Sequence, residues 1–304
     1  MAEILNLVNP DDVLSCKYEI NRFPDGQQSI RILEHNYDTF YSLRNQTTPI
    51  IIKSRLNTFQ DLELIICANQ ALKEIGVKSI KLYIPYCIGG RSDRKFQEGG
   101  INYIKTVIAP ILNSQNFDEV RVIDPHSDVL EACINNFVKH SNTNLVKFAL
   151  VNVDNKDYAQ DRICLVSPDA GAYKKIYDVA KLFGIKEIIT ASKVRDLDTG
   201  KILKTVVPSL ESHNDMKYVI VDDICDGGRT FVELAKVIKE KKPNAEIYLI
   251  VTHGIFSAGF DELVQYLDGI YTTNSVKDIQ DGTIVDTFSK HKTIHSFVKQ
   301  LNIF

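Results

Sequence analysis

Short apolar, β-branched runs alternate along this chain with longer segments whose apolar residues recur at the helical period. The run PIIIK at 49–53 reads as a strand. The next segment, NTFQDLELIICANQALKEIG, spaces Leu62, Ile65, Ile66, Leu72 and Ile75 as a helix does. Asn57 or Thr58 can cap its start, and Gly76 stands at its stop. A strand SIKLYI follows, then a loop from Pro85 to Gly100, a helix from about 101, and a strand EVRVID ending at Asp124. After a polar bridge near 139–144 the pattern restarts. RICLVS is a strand, AGAYKKIYDVAKLFG a helix and KEIITAS a strand, and the runs KYVIV and EIYLIVT bracket a helix from about 229 to 242. The closing stretch, TIHSFVKQLNIF, reads as a helix. Alternating strands and helices predict an α/β fold with a mainly parallel sheet in each of two halves.

Length supports two halves, since 304 residues is about twice the usual domain. The expected division is 1–142 and 143–287, with a helix over about 288–304 that could pack back on the first half. Apolar residues make up 44% of the chain and charged residues 25%, enough for two well-buried cores. A net charge of −3 gives no reason to expect a nucleic acid or an acidic membrane as partner. The N-terminus MAEILNLVNPDD has no basic leader, and no apolar run reaches the length of a membrane span. Cysteines 16, 67, 87, 133, 164 and 225 form no CxxC pair, which points to reduced thiols in a cytoplasmic setting rather than to a zinc ribbon.

Polar residues cluster where strands end: Asp124 and His126, Ser167 and Asp169, Ser192 and Lys193, Asp222 and Asp223. Ligands of open α/β sheets bind at that edge. The densest cluster is KYVIVDDICDGGRTFVEL, residues 217–234. Two carboxylates at a strand end can accept hydrogen bonds from vicinal sugar hydroxyls. Gly227 and Gly228 let backbone N–H groups approach an anion, and a helix beginning near Arg229 turns its positive end to the same spot. A sugar phosphate meets all three demands. A GxxxxGK[ST] loop and a GxGxxG turn are both missing, so the aspartate–glycine turn carries the phosphate role alone.

VIVDDICDGGRT resembles the phosphoribosyl-diphosphate loop of the type I phosphoribosyltransferase fold. Five further segments resemble ribose-phosphate diphosphokinases, in that family's order and over nearly the whole chain. They are NRFPDGQQSIRI at 21–32, IPYCIGGRSDRK at 84–95, VIDPHSD at 122–128, VSPDAGAYKK at 166–175 and SKVRD at 192–196. The resemblance implies two phosphoribosyltransferase-like domains, an N-terminal one that binds ATP and a C-terminal one that binds the ribosyl phosphate. It also implies magnesium-dependent transfer of the β,γ-diphosphoryl group of ATP to the anomeric hydroxyl of ribose 5-phosphate, with release of AMP.

By the same resemblance, Lys193 and Arg195 are the catalytic cations. Phe23, Asp25 and Gln27 frame the adenine, and Arg91, Ser92, Asp93, Arg94 and His126 serve the rest of ATP. His126 and Asp169 hold the metal. Asp222 and Asp223 take the sugar hydroxyls, while Asp226, Gly227, Gly228, Arg229 and Thr230 surround the 5-phosphate. Residues 196–212 are polar enough for a lid that excludes water on closing. In the family the FPDG segment comes from a neighbouring subunit, which implies a homo-oligomer, built on dimers and extending to a hexamer. Phe23-Pro24-Asp25-Gly26 also suits an ordinary β-turn.

Several positions depart from the family's pattern. Its acceptor loop reads DTGGT, and here Gly227 replaces a threonine and Arg229 a glycine. Gln27 stands for glutamate, Ser92 for glutamine, Pro125 for leucine and Ala172 for glycine. These changes raise an alternative acceptor, larger than ribose 5-phosphate, such as ADP-ribose. Two further alternatives are a phosphoribosyltransferase, which would not need the RSDRK and FPDG segments, and a silent regulatory homologue, against which Lys193, Arg195, His126 and Asp169 speak.

Overall fold

The structure is a computed structural model that describes residues 3–33, 43, 48–154, 160–195, 202–207, 210, 216–284 and 292–304. The chain divides into two compact units, Met1–Ser141 together with Phe304, and Asn142–Ile303.

The first unit contains β1 (Glu3–Asn6), β2 (Tyr18–Arg22), β3 (Gln28–Ile32), β4 (Ile50–Lys53), α1 (Phe59–Glu74) and β5 (Ile80–Tyr83). A π turn at Ile104–Ile108 then runs into α2 (Ala109–Ser114), followed by β6 (Glu119–Ile123), α3 (Val129–Cys133) and β7 (Phe137–His140). The main sheet runs β1-β4-β5-β6-β7 and is parallel throughout. Leu5, Ile50, Ile52, Leu82, Val120 and Val122 place their side chains in one core with Leu62, Ile65 and Leu72 of α1. Thr58, not Asn57, caps α1. Its hydroxyl accepts from Asp61 N at 3.1 Å, and Asp61 Oδ2 accepts from Thr58 N at 2.8 Å. The helix expected from about 101 begins instead as a π turn, just ahead of Pro110, which has no N–H to donate to the preceding turn.

In the second unit come α4 (Thr143–Asp154), β8 (Ile163–Ser167), α5 (Tyr173–Phe183), β9 (Glu187–Thr190), β10 (Ser192–Arg195), β11 (Ile202–Val206) and β12 (Lys217–Cys225). They are followed by α6 (Arg229–Lys241), β13 (Glu246–Gly254), α7 (Leu263–Tyr266) and β14 (Gly269–Thr273). The end of the chain forms β15 (Thr283–Ile284), β16 (Lys292–Thr293), α8 (Ile294–Phe297) and β17 (Val298–Leu301). The six-stranded sheet runs β17-β14-β13-β12-β8-β9, again all parallel. From β8 the chain moves outward to β9 and later returns to β12 on the other side of β8. The strand order therefore reverses between β8 and β12, which opens a crevice at their carboxyl ends.

Side chains on β12 alternate between two cores. Tyr218 and Ile220 pack with Phe231, Val232 and Leu234 of α6, whereas Val219 and Val221 pack with Ile176, Val179 and Ala180 of α5. The closing stretch, expected as a helix, is a single turn followed by a strand. β17 pairs with β14, supplying hydrogen-bond partners that β14 would otherwise lack on that side. All six cysteines are free. Among the described residues no helix is long and apolar enough to cross a membrane.

The entry into α6 depends on Gly228, which has φ 83° and would place a Cβ 2.9 Å from Leu263 Cδ2. Gly227 is not in the left-handed region, and a Cβ there would meet only Ser257 Oγ at 3.6 Å and Ala258 Cβ at 3.7 Å. In chemical denaturation Gly228→Ala is expected to cost about 1–3 kcal/mol, while Gly227→Ala stays within about 1 kcal/mol of the parent. Equal losses at the two glycines would contradict this account of the turn.

Candidate functional site

Strand β12 extends through Asp222, Asp223 and Ile224 to Cys225, beyond the KYVIV run, because Ile224 and Cys225 still pair with His253 and Gly254 of β13. The aspartates therefore sit within the strand's last turn of pleat rather than in a free loop. Asp223 follows Val219 and Val221 onto the α5 face and is buried. There Lys175 Nζ lies 4.0 Å from Asp223 Oδ1. Asp222 falls on the α6 side, half-buried, and its Oδ1 accepts from Asp223 N at 2.9 Å.

Burial raises the Asp222 carboxyl well above the ordinary aspartate range. A hydrogen bond with the Asp223 side chain and the Asp223 charge push the same way. The Asp223 N–H and the Lys175 charge oppose them without cancelling them.

Past Cys225, Ser257 contacts the exposed Asp226 twice. Ser257 Oγ donates to Asp226 Oδ1 at 2.6 Å, and Ser257 N donates to Asp226 O at 3.1 Å. Helix α6 then starts at Arg229, as its sequence implies, with Gly228 as N-cap and no side-chain capping bond. Phe231 N donates to Gly228 O at 3.0 Å, so it is the N–H groups of Arg229 and Thr230 that no side chain caps at the helix start. Arg229 is exposed and Thr230 half-buried at that end.

Asp169 sits in the turn after β8, across the crevice between the two strand ends. Ser167 Oγ donates to Asp169 O at 2.7 Å, and Asp169 Oδ1 accepts from Ala172 N at 3.1 Å, so the turn is fixed by its own first residues. The sequence-predicted residues Asp169 and Asp222 to Thr230 are therefore gathered at one sheet edge. Lys193 and Arg195 lie on β10, which pairs with β11, but their side chains fall outside the described residues. Most of the expected lid, 196–212, does so too.

The first unit carries its own set. Phe23, Asp25 and Gln27 form the tip of the β2–β3 hairpin, a separate two-stranded sheet. Phe23 N donates to Gln27 O, Gly26 N to Phe23 O, and Gln27 N to Asp25 Oδ1, so the segment is the β-turn its composition suits. Gln28 fastens the hairpin to α1 through Gln60 O and Glu63. The Phe23 ring is left 50% exposed, an apolar surface at the hairpin tip.

Arg91, Ser92, Asp93 and Arg94 lie in the loop after β5, and His126 lies in the turn after the neighbouring strand β6. The residue at the head of that turn, Asp124, is buried with φ 43°. The loop is held by Ser92 N to Gly89 O at 2.7 Å and by Asn102 Nδ2 to Asp93 O. The Arg94 guanidinium stands 5.1 Å from the centre of the exposed Phe96 ring. Arg91 and His126 are exposed at the same edge.

Sequence reasoning missed Lys175 and Ser257. Lys175 was legible as the sixth residue after Asp169 on a helical segment. Ser257 lies 31 residues from Asp226 and is joined to it only by the fold.

Two parallel sheets, each with its polar residues at the carboxyl edge, and an uncapped helix after an acidic strand end define a phosphoribosyltransferase-type α/β protein. A phosphoribosyl transferase domain model matches residues 139–280. The ribose-phosphate pyrophosphokinase of Pyrococcus abyssi is 28% identical over 285 residues, covering 90% of this chain and 89% of that protein. That of Vibrio parahaemolyticus is 23% identical over 288 residues, covering 93% and 87%. The crystal structure of phosphoribosylpyrophosphate synthetase from Mycobacterium smegmatis matches with a TM-score of 0.71 over 95% of this chain and 87% of that one, at 18% identity. The chain is thus similar to ribose-phosphate diphosphokinases over most of its length, and its fold is that of two phosphoribosyltransferase-like α/β domains.

The raised Asp222 carboxyl has a consequence for stability. Because its folded value lies above its unfolded one, ionising it costs folding free energy. That cost is absent below the ordinary carboxylate range and complete once pH exceeds the raised value. Asp222→Asn is therefore expected to raise the thermal midpoint at pH 7 to 8, with the gain shrinking as pH falls toward 4. A lower midpoint, or a gain that ignores pH, would contradict the assignment.

Proposed function

We propose that the chain transfers the β,γ-diphosphoryl group of ATP to the anomeric hydroxyl of ribose 5-phosphate. The observation that carries the reading is the acidic end of β12, set beside the uncapped start of α6 at the point where the strand order reverses. The names of the relatives support the same chemistry. The anomeric oxygen attacks the β-phosphorus, the bond from that phosphorus to the α,β-bridging oxygen breaks, and AMP leaves. The hydroxyl proton is lost to solvent. Little covalent work falls to the protein, so positioning and charge neutralisation dominate.

In this reading Asp222 and Asp223 accept from the vicinal ribose hydroxyls. Asp226 to Thr230 surround the 5-phosphate, with the α6 N–H groups and Arg229 supplying positive charge. Lys193 and Arg195 stabilise the transferring diphosphoryl group. Phe23, Asp25 and Gln27 hold adenine at a neighbouring subunit of a homo-oligomer, and Arg91 to Arg94 take the ATP phosphates.

Magnesium fits the donors present. Asp169 offers a carboxylate at the crevice of the second unit, and His126 offers a ring nitrogen in the first. An ion that keeps waters and shares substrate phosphates needs only such sparse protein ligation. When bound, it would neutralise charge on the ATP phosphates.

A second reading is favoured by the acceptor loop itself. Gly227 leaves space where a side chain would only touch Ser257 and Ala258, and Arg229 adds a cation at the helix start. Both changes suit an acceptor whose 5-phosphate continues into a diphosphate, such as ADP-ribose.

One assay separates the readings: AMP release from ATP and magnesium with ribose 5-phosphate or ADP-ribose, for the parent and for Gly227→Thr. Release with ribose 5-phosphate that survives in Gly227→Thr is the expected result. Release only with ADP-ribose, lost by about tenfold or more in Gly227→Thr, establishes the larger acceptor. No AMP with either sugar overturns both and favours a silent homologue.

A further inference from the structure

We propose that Lys175 is a positioning residue of the acceptor site, its ammonium holding the Asp223 carboxylate in place for a ribosyl hydroxyl. The inference rests on the reading of Asp222 and Asp223 as the sugar-binding pair. It begins with the pleat of β12. Because alternate residues face opposite cores, the two neighbouring aspartates leave the strand on different sides. Asp222 lies toward α6, whose positive end is nearby. Asp223 lies toward α5, whose Lys175 approaches to 4.0 Å.

The Asp223 side chain is only 8% exposed and that of Lys175 27%. A carboxylate so buried is stable as an anion only beside a compensating charge, and here a second carboxylate stands next to it. The Lys175 charge already works against a proton held at this pair, and its loss would favour one further. A protonated carboxyl donates a hydrogen bond where the sugar needs an acceptor. At 4.0 Å the lysine acts through charge rather than through a direct hydrogen bond.

Lys175 also joins the two strand ends across the crevice. It belongs to the helix opened by the Asp169 turn, so its contact ties the end of β8 to the end of β12. A loss at this position would reach the acceptor pair directly, while the ATP residues of the first unit would not feel it.

The test is calorimetric titration of ribose 5-phosphate, ADP-ribose and ATP into the full-length protein and its Lys175→Met, Lys175→Gln and Lys175→Arg variants. Lys175→Met and Lys175→Gln are expected to weaken whichever ribosyl phosphate the parent binds by about tenfold or more, with ATP affinity within about twofold. Lys175→Arg is expected to restore sugar binding to within about threefold, since it keeps the charge. Unchanged sugar affinity in the neutral variants overturns the proposal, as does a loss that arginine does not restore or that ATP shares equally. A parent that binds neither sugar removes the acceptor site itself and this proposal with it. That result is distinct from a parent that binds and variants that do not differ.

Discussion

Strand β12 is buried on both faces, and the second unit is organised around that constraint. Tyr218, Val219, Ile220 and Val221 are all at most 1% exposed, and each is worth about 1.5–3 kcal/mol of burial as an upper estimate. These contacts hold the strand in register with β8 and β13 and so fix where its last residues emerge. Asp222 and Asp223 are carried to that point by packing that has nothing to do with sugars. The raised Asp222 carboxyl is the local cost of placing acids at the end of such a strand, and the neighbouring hydrophobic terms are large enough to bear it.

The same strand sets the division of labour at the site. Its two faces address two helices, one giving a positive end and the other a lysine. Beyond it, Gly228 turns the chain into α6, and Ser257 holds the Asp226 side chain and backbone together. The reversal of strand order brings the Asp169 turn alongside. Two carboxylates, the N–H groups at the start of α6 and a third carboxylate across the crevice thus come from adjacent strand ends without any long loop. In the first unit the candidate ATP residues are spread over a hairpin tip and two strand-end loops, each held by backbone hydrogen bonds.

Much of this was legible in the sequence, because strand-to-acid-to-glycine-to-helix is a local pattern. The start of α6 and the cap of α1 follow from neighbours a few residues apart. What was not legible depended on distant partners. Strand β12 seemed to stop at Val221 because the acids break its apolar run, yet pairing with His253 and Gly254 carries it to Cys225. Helix α4 went unassigned between the polar bridge near 139–144 and RICLVS, since a run such as LVKFALVNV fits either period. The closing stretch has Ile294, Phe297, Val298 and Leu301 at helical spacing, but β14 offered an edge to pair with. Lys175 lay within a recognised segment, and its role emerged only when the pleat of β12 showed which aspartate it meets.

The central claim is that the acidic end of β12 and the start of α6 bind the ribosyl phosphate. Amide hydrogen exchange with and without ribose 5-phosphate or ADP-ribose tests it most directly. The account predicts slowed exchange across Asp226 to Thr230 on sugar binding, with a smaller effect in the Asp169 turn. Protection confined to the first unit, or none in residues 222–230 when sugar is demonstrably bound, would contradict it.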